Sequence, residues 1–122
     1  MFKVLVLDDS ALMRQRIRSF LEDEGLQVED GLPATEADLL GRIEALQPDL
    51  LISDFTMPQL DGLAVARCVR RAHPKLPVII LTALRDPARD AQLKSAGVRL
   101  ILHKPIHGPE LLEAVVKVLS VA

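Results

Sequence analysis

Asp8 and Asp9 stand side by side at the end of an apolar run, Val4-Leu5-Val6-Leu7, and Asp54 closes another such run, Leu50-Leu51-Ile52. Carboxylates brought close together repel one another, and one of them tends to stay protonated. A hard cation such as Mg²⁺ or Mn²⁺, which takes carboxylate, water and phosphate oxygens, removes that conflict. An ionised carboxylate beside it is then a nucleophile toward a phosphoryl donor. Such a transfer needs chiefly positioning and charge neutralisation. Thr82 and Lys104 end two further apolar runs and offer a hydroxyl and an ammonium for the purpose. Any one of these acids has a plainer reading as a turn or helix-cap residue, and Asp9 or Ser10 could cap a helix. The weight lies in all five residues ending strands of one pattern.

That pattern alternates five times between short apolar runs and segments of helical period. After the first run, Met13, Ile17, Phe20 and Leu21 mark a helix that stops at Gly25. A short polar strand follows over Leu26 to Asp30. Thr35 and Asp38 resemble a capping box, opening a helix with Leu39, Leu40, Ile43 and Leu46. The strand Asp49 to Asp54 leads through a turn with Pro58 and Gly62 to a helix with Val65, Ala66 and Val69. Val78 to Thr82 is the fourth strand, and the fourth helix, roughly Pro87 to Ala96, is only weakly amphipathic. Val98 to His103 is the fifth strand, and Pro109 begins the last helix. Strict alternation predicts an α/β fold with a parallel sheet covered on both faces. The second strand (Gln27, Glu29) and the fifth (Arg99, His103) admit polar residues, as edges can. The expectation is a flavodoxin-like, doubly wound, five-stranded sheet of order 2-1-3-4-5 with five helices, whose crevice lies outside the carboxyl ends of strands one and three. Asp8, Asp9 and Asp54 meet there, with Thr82 and Lys104 on the same rim.

Composition agrees with one small domain, 1–122, whose core is aliphatic: of its residues 49% are hydrophobic but only 2% aromatic. Fifteen basic and 17 acidic residues give a net charge of −2, which speaks against direct nucleic-acid binding. The single Cys68 excludes an internal disulfide and favours a cytoplasmic setting. No run approaches the length of a membrane span.

Val-Leu-Asp-Asp-Ser (6–10), Ser-Asp-Phe-Thr-Met-Pro-Gln-Leu-Asp-Gly (53–62), Leu-Thr-Ala (81–83) and His-Lys-Pro-Ile (103–106) resemble the receiver domains of two-component response regulators. The resemblance covers essentially the whole chain. It looks like the stand-alone kind found in chemotaxis adaptors, since nothing follows the fifth helix; the receiver half of a longer regulator is the alternative. What the resemblance implies is a switch that accepts a phosphoryl group from a histidine kinase or phosphotransfer protein and catalyses only its own phosphorylation and dephosphorylation. Asp54 matches the acceptor, Asp9 a direct metal ligand, and Asp8 its acidic neighbour, acting partly through water. The main-chain carbonyl of Thr56 matches a further ligand. Thr82 matches the hydroxyl that turns toward the phosphoryl group, Lys104 the lysine that pairs with it, and Pro105 a proline usually preceded by a cis bond. An output protein is expected on the face made by the fourth helix, fifth strand and fifth helix. Leu84 and Thr56 occupy positions thought to tune dephosphorylation. Ile101 is a departure: an aromatic often stands there, so its inward swing is missing.

Two rivals come from other classes. An interaction module without phosphorylation would have little reason to keep all five residues. A small nucleotide or flavin binder would need a Gly-rich loop where Asp8-Asp9-Ser10 stands. His73, His103 and His107 lack ligand-like spacing and read as surface or supporting residues. Cys68 reads as a small core or boundary residue, and Arg67, Arg70 and Arg71 as a solvated helix face.

Overall fold

The computed structural model describes residues 1–120. Each apolar run becomes a strand and each amphipathic segment a helix: β1 (Lys3–Leu7), α1 (Ala11–Asp23), β2 (Gln27–Gly31), α2 (Glu36–Leu46), β3 (Leu50–Asp54), α3 (Gly62–Ala72), β4 (Val78–Thr82), α4 (Pro87–Ser95), β5 (Leu100–His103) and α5 (Gly108–Ser120). The strands form one parallel sheet in the order β2-β1-β3-β4-β5. The fold is flavodoxin-like, as expected, with the more polar strands at its edges.

Alternation along each strand divides the core in two. Leu5, Leu51, Val78 and Ile80 face α2, α3 and α4, together with Leu39, Val65 and Leu93. Val4, Val6, Ile52, Ile79 and Leu81 face α1 and α5, against Ile17, Leu21, Leu111 and Val115. Both clusters are almost purely aliphatic. The weak stripe of α4 has its counterpart here, for Leu93 is the helix's one buried residue.

Local chemistry sets the boundaries. Ser10, not Asp9, caps α1 by accepting the Met13 N–H, and Thr35 caps α2 by accepting the Asp38 N–H. Asp38 reaches back to the Ala34 N–H rather than to the cap residue itself. Gly25 and Gly97 stop α1 and α4 with φ of +89° and +99°. In each case the next two N–H groups return to carbonyls of the last turn, Gly25 to Glu22 and Leu26 to Leu21, Gly97 to Lys94 and Val98 to Leu93. Val98 is therefore spent on closing α4, and β5 begins two residues later than the expected Val98. Among the described residues no helix is long and apolar enough to cross a membrane.

Candidate functional site

In a parallel sheet the carboxyl ends of all strands share one rim, and β1 lies beside β3. Asp8 follows β1 directly and Asp54 ends β3. Carboxylate oxygens of Asp8, Asp9 and Asp54 all lie within 4.8 Å of one another. Asp8 is fully buried and Asp54 is 5% exposed, whereas Asp9 faces solvent. Lys104, just past β5, brings its Nζ to 3.2 Å from Asp54 Oδ1 and 3.7 Å from Asp8 Oδ2. The Lys104 N–H donates to the Thr82 carbonyl, so β4 and β5 present their end residues together. Asp8, Asp9, Asp54 and Lys104 are thus assembled, and Thr82 ends β4 on the same rim. Its buried hydroxyl accepts the Leu84 N–H at 3.2 Å. Thr56 lies on the loop after β3 with its side chain exposed. The Lys104–Pro105 peptide bond is cis.

Burial governs the charges. It raises the Asp8 carboxyl above its usual range, against the lowering effects of the Ser10 N–H and Lys104. Burial also raises Asp54, reinforced by the neighbouring Asp8 charge and opposed by Lys104. One ammonium does not balance three carboxylates. Asp8 Oδ2, moreover, is buried without a hydrogen-bond partner. An orphaned carboxylate oxygen among hard oxygen donors fits a small divalent cation. Asp8, Asp9 and Asp54 are the residues that would hold it. When bound, such an ion would neutralise charge gathering on a transferring phosphoryl group.

The loop that follows Asp54 is held from beneath. Phe55 and Met57 are buried in the α2–α3–α4 cluster, and the Gly62 N–H donates to the Phe55 carbonyl at 2.8 Å. A Cβ on Gly62 would lie 2.9 Å from the Phe55 Cα, so the close approach requires glycine. Above, the Arg89 guanidinium of α4 lies 4.0 Å from the Phe55 ring centroid, a cation–π contact.

Two supporting arginines were not expected. Arg14 donates to the Asp8 carbonyl and, with Arg18, to the Asp30 carboxylate, clamping α1 to β2 behind the acids. Arg14 and Arg18 lie four apart, a spacing that puts both on one helix face and was the available signal. His103 Nε2 meets Asp90 Oδ2 of α4 at 3.0 Å, so of its two expected roles, surface or supporting, His103 takes the supporting one. Cys68 is buried and its thiol is pushed up by burial, as a core residue should be. The histidines join no metal-ready group among the described residues.

A doubly wound sheet with acids at its switch point and a lysine facing them defines a class of small signalling domain. The receiver-domain profile of response regulators matches residues 4–116, and the chain belongs to that family. It is 34% identical over 110 residues to the transcriptional regulatory protein PhoP of Escherichia coli K12, covering 90% of this chain and 48% of that protein. The virulence transcriptional regulatory protein PhoP of Salmonella typhimurium LT2 is 35% identical over 112 residues, 92% of this chain and 49% of that one. The chain therefore spans about half the length of these relatives. Among solved structures, the chemotaxis protein CheY4 of Vibrio cholerae superposes with a TM-score of 0.87 at 31% identity, covering 97% of this chain and 98% of that one. A receiver domain from Clostridium thermocellum gives 0.89 at 27% identity, covering 98% and 95%.

Proposed function

We propose that this domain, taken as 1–122, is a phosphorylation-driven switch in which Asp54 is the acceptor, with Asp8, Asp9, Asp54 and the Thr56 main-chain carbonyl holding Mg²⁺ or Mn²⁺. The observation that carries the reading is the Asp54 carboxylate, nearly buried, 3.2 Å from Lys104 and within the three-acid cluster. An Asp54 oxygen attacks the phosphorus of a phosphohistidine on a histidine kinase or phosphotransfer protein. A P–O bond forms, the P–N bond breaks, and the leaving imidazole recovers a proton. Lys104 stays beside the new group, exchanging a carboxylate partner for phosphoryl oxygens. Thr82 gives up the Leu84 N–H when its hydroxyl turns to the phosphoryl group, which carries the change into the 83–86 loop and α4. The output partner reads the α4–β5–α5 face. In this reading the chain works in the cytoplasm, turns over no external substrate, and acts on no nucleic acid directly.

A second reading, the receiver portion of a longer regulator, draws support from the half-length match to the PhoP proteins. It uses the same switch. Intact mass after incubation with acetyl phosphate and Mg²⁺ tests the proposal: one base-labile phosphoryl group is expected on the native chain and none on Asp54→Asn. Equal labelling of the two proteins would reject Asp54 as the acceptor.

A further inference from the structure

On the side of the sheet covered by α3 and α4 runs a groove of about 580 Å³, walled by Arg67, Arg70 and Arg71 of α3 and by Ala91, Gln92, Ser95 and Ala96 at the end of α4. Both helices run back from the acidic rim, so their last turns, which carry most of these residues, lie toward the opposite end of the strands. No acidic residue lines the groove, although the chain as a whole carries net charge −2.

The arginines are unequally engaged. Arg70 donates to the Ser95 carbonyl at the end of α4, and its aliphatic stem passes beside Gly97. Its guanidinium is thereby held in place across the groove. Arg71 pairs with Glu36 through an ion pair whose side chains are 65% and 50% exposed; such a pair is weak and readily exchanged. Arg67 makes no hydrogen bond or ion pair among the described residues. Basic residues in the last turn of a helix complement its dipole. That accounts for Arg70 and Arg71 individually, but not for Arg67 one turn earlier or for the neutral wall opposite.

We propose that this groove docks an acidic polypeptide segment of a partner protein, with carboxylates about one helical turn apart received by Arg67 and by the Arg70–Arg71 pair. Positions 67 and 71 are four apart and so about 6 Å along the helix. Carboxylates at positions i and i+4 of a partner helix have the same spacing. Guanidinium forks match carboxylates bidentately. The small side chains of Ala91 and Ala96 leave room for the partner's backbone between the two anchors. A nucleic acid is the poorer occupant. Its phosphates would extend well past a groove this short, and the chain as a whole carries net charge −2 rather than the strongly basic balance of such proteins. The proposal stands independently of phosphoryl transfer at Asp54.

The test uses the full chain and fluorescence anisotropy of a short labelled helical peptide with Glu at every fourth position, beside its Gln counterpart. The Glu peptide should bind and the Gln peptide should not, with affinity falling as salt rises from about 50 to about 500 mM. Arg67→Gln with Arg71→Gln should weaken binding about tenfold or more, while Arg70 is kept because it ties α3 to α4. Removing the same charge elsewhere, by Arg16→Gln with Lys117→Gln, should change affinity less than about twofold. Unchanged thermal unfolding of both variants excludes misfolding as the cause. Failure of the Glu peptide to bind, equal losses in the two variants, or no loss in the groove variant would overturn the proposal. So would a single-stranded oligonucleotide or pyrophosphate that displaces the peptide at lower concentration than unlabelled peptide does.

Discussion

Asp90 of α4 and His103 of β5 are joined by a 3.0 Å contact between Oδ2 and Nε2. His103 is also the register partner of Thr82 on β4 and the residue before Lys104. The contact therefore ties α4 to the strand whose end reaches the acidic cluster. Since α4 buries only Leu93, this tie should hold a large share of the helix in place. A single hydrogen bond of this kind, with both side chains about a fifth exposed, contributes about 0.5–1 kcal/mol net. His103→Ala or Asp90→Ala should accordingly speed amide hydrogen exchange in α4 about two- to fivefold, leaving β1 and β3 unaffected. Unchanged exchange in α4 would mean that Leu93 and the Arg89–Phe55 contact suffice.

The raised carboxyl of Asp54 gives a pH dependence of definite sign. Burial and the Asp8 charge favour the protonated form in the folded state. Folded protein thus takes up a proton at a pH where the unfolded chain is still ionised, and without divalent metal its stability rises as pH falls from neutral through that raised pKa. Asp54→Asn removes the ionised form and should stabilise the metal-free protein near pH 7, raising its Tm. The same substitution should abolish labelling by acetyl phosphate. Calorimetry across pH shows whether the gain fades toward acid, as this sign requires.

Mg²⁺ should raise the thermal midpoint of the native chain by mass action, because it occupies a cluster whose Asp8 Oδ2 is otherwise unsatisfied. Asp9→Ala keeps the buried acids but loses the exposed one, and should weaken both the shift in Tm and the metal dependence of labelling. Labelling that continues undiminished in excess EDTA would argue against a metal requirement.

Lys104 is the cation that faces Asp8 and Asp54. Lys104→Ala should leave the acids less compensated and push the Asp54 carboxyl further up, measurable by carboxyl NMR titration. Phosphorylated Lys104→Ala should still fold but bind its output partner more weakly than the native chain. Lys104→Arg is not equivalent, for the planar guanidinium has a different reach and geometry.

Phosphorylation should alter exchange chiefly between Ala83 and Gly97. Thr82 now holds the Leu84 N–H at 3.2 Å, and turning its hydroxyl frees that loop. Ile101, half-buried against the α2–α3–α4 cluster, has few χ1 choices and should remain where it is. Changes confined to β5 around residue 101, with α4 silent, would place the moving part elsewhere.

The acidic cluster was legible in the sequence because strict strand–helix alternation forces parallel strands, and parallel strands bring residues 8, 54, 82 and 104 to one rim whatever the details of packing. Glycine stops at 25 and 97 were legible for a similar reason, since their left-handed φ is a local property. Gln47 also ends a helix with positive φ, 53°, but a glutamine there carries no such mark. The attachment of α4 was hidden too. Its stripe is weak because polar contacts from Arg89, Asp90 and the Ser95 carbonyl hold it, and these depend on the helix's rotation rather than on any period. Arg14 and Arg18 closing on Asp30 likewise needed the placement of β2 against α1.

The sheet divides the aliphatic interior into two compartments, and this has a thermodynamic corollary. Truncations on opposite sides, such as Ile43→Val beneath α2 and Val115→Ala beneath α5, should have nearly additive costs. Pairs within one compartment should not, because they share a cavity. A domain built this way can let the α2–α3–α4 compartment breathe while the α1–α5 compartment stays shut. Sequence drift beneath α1 and α5 then adjusts overall stability with little effect on the ease of switching.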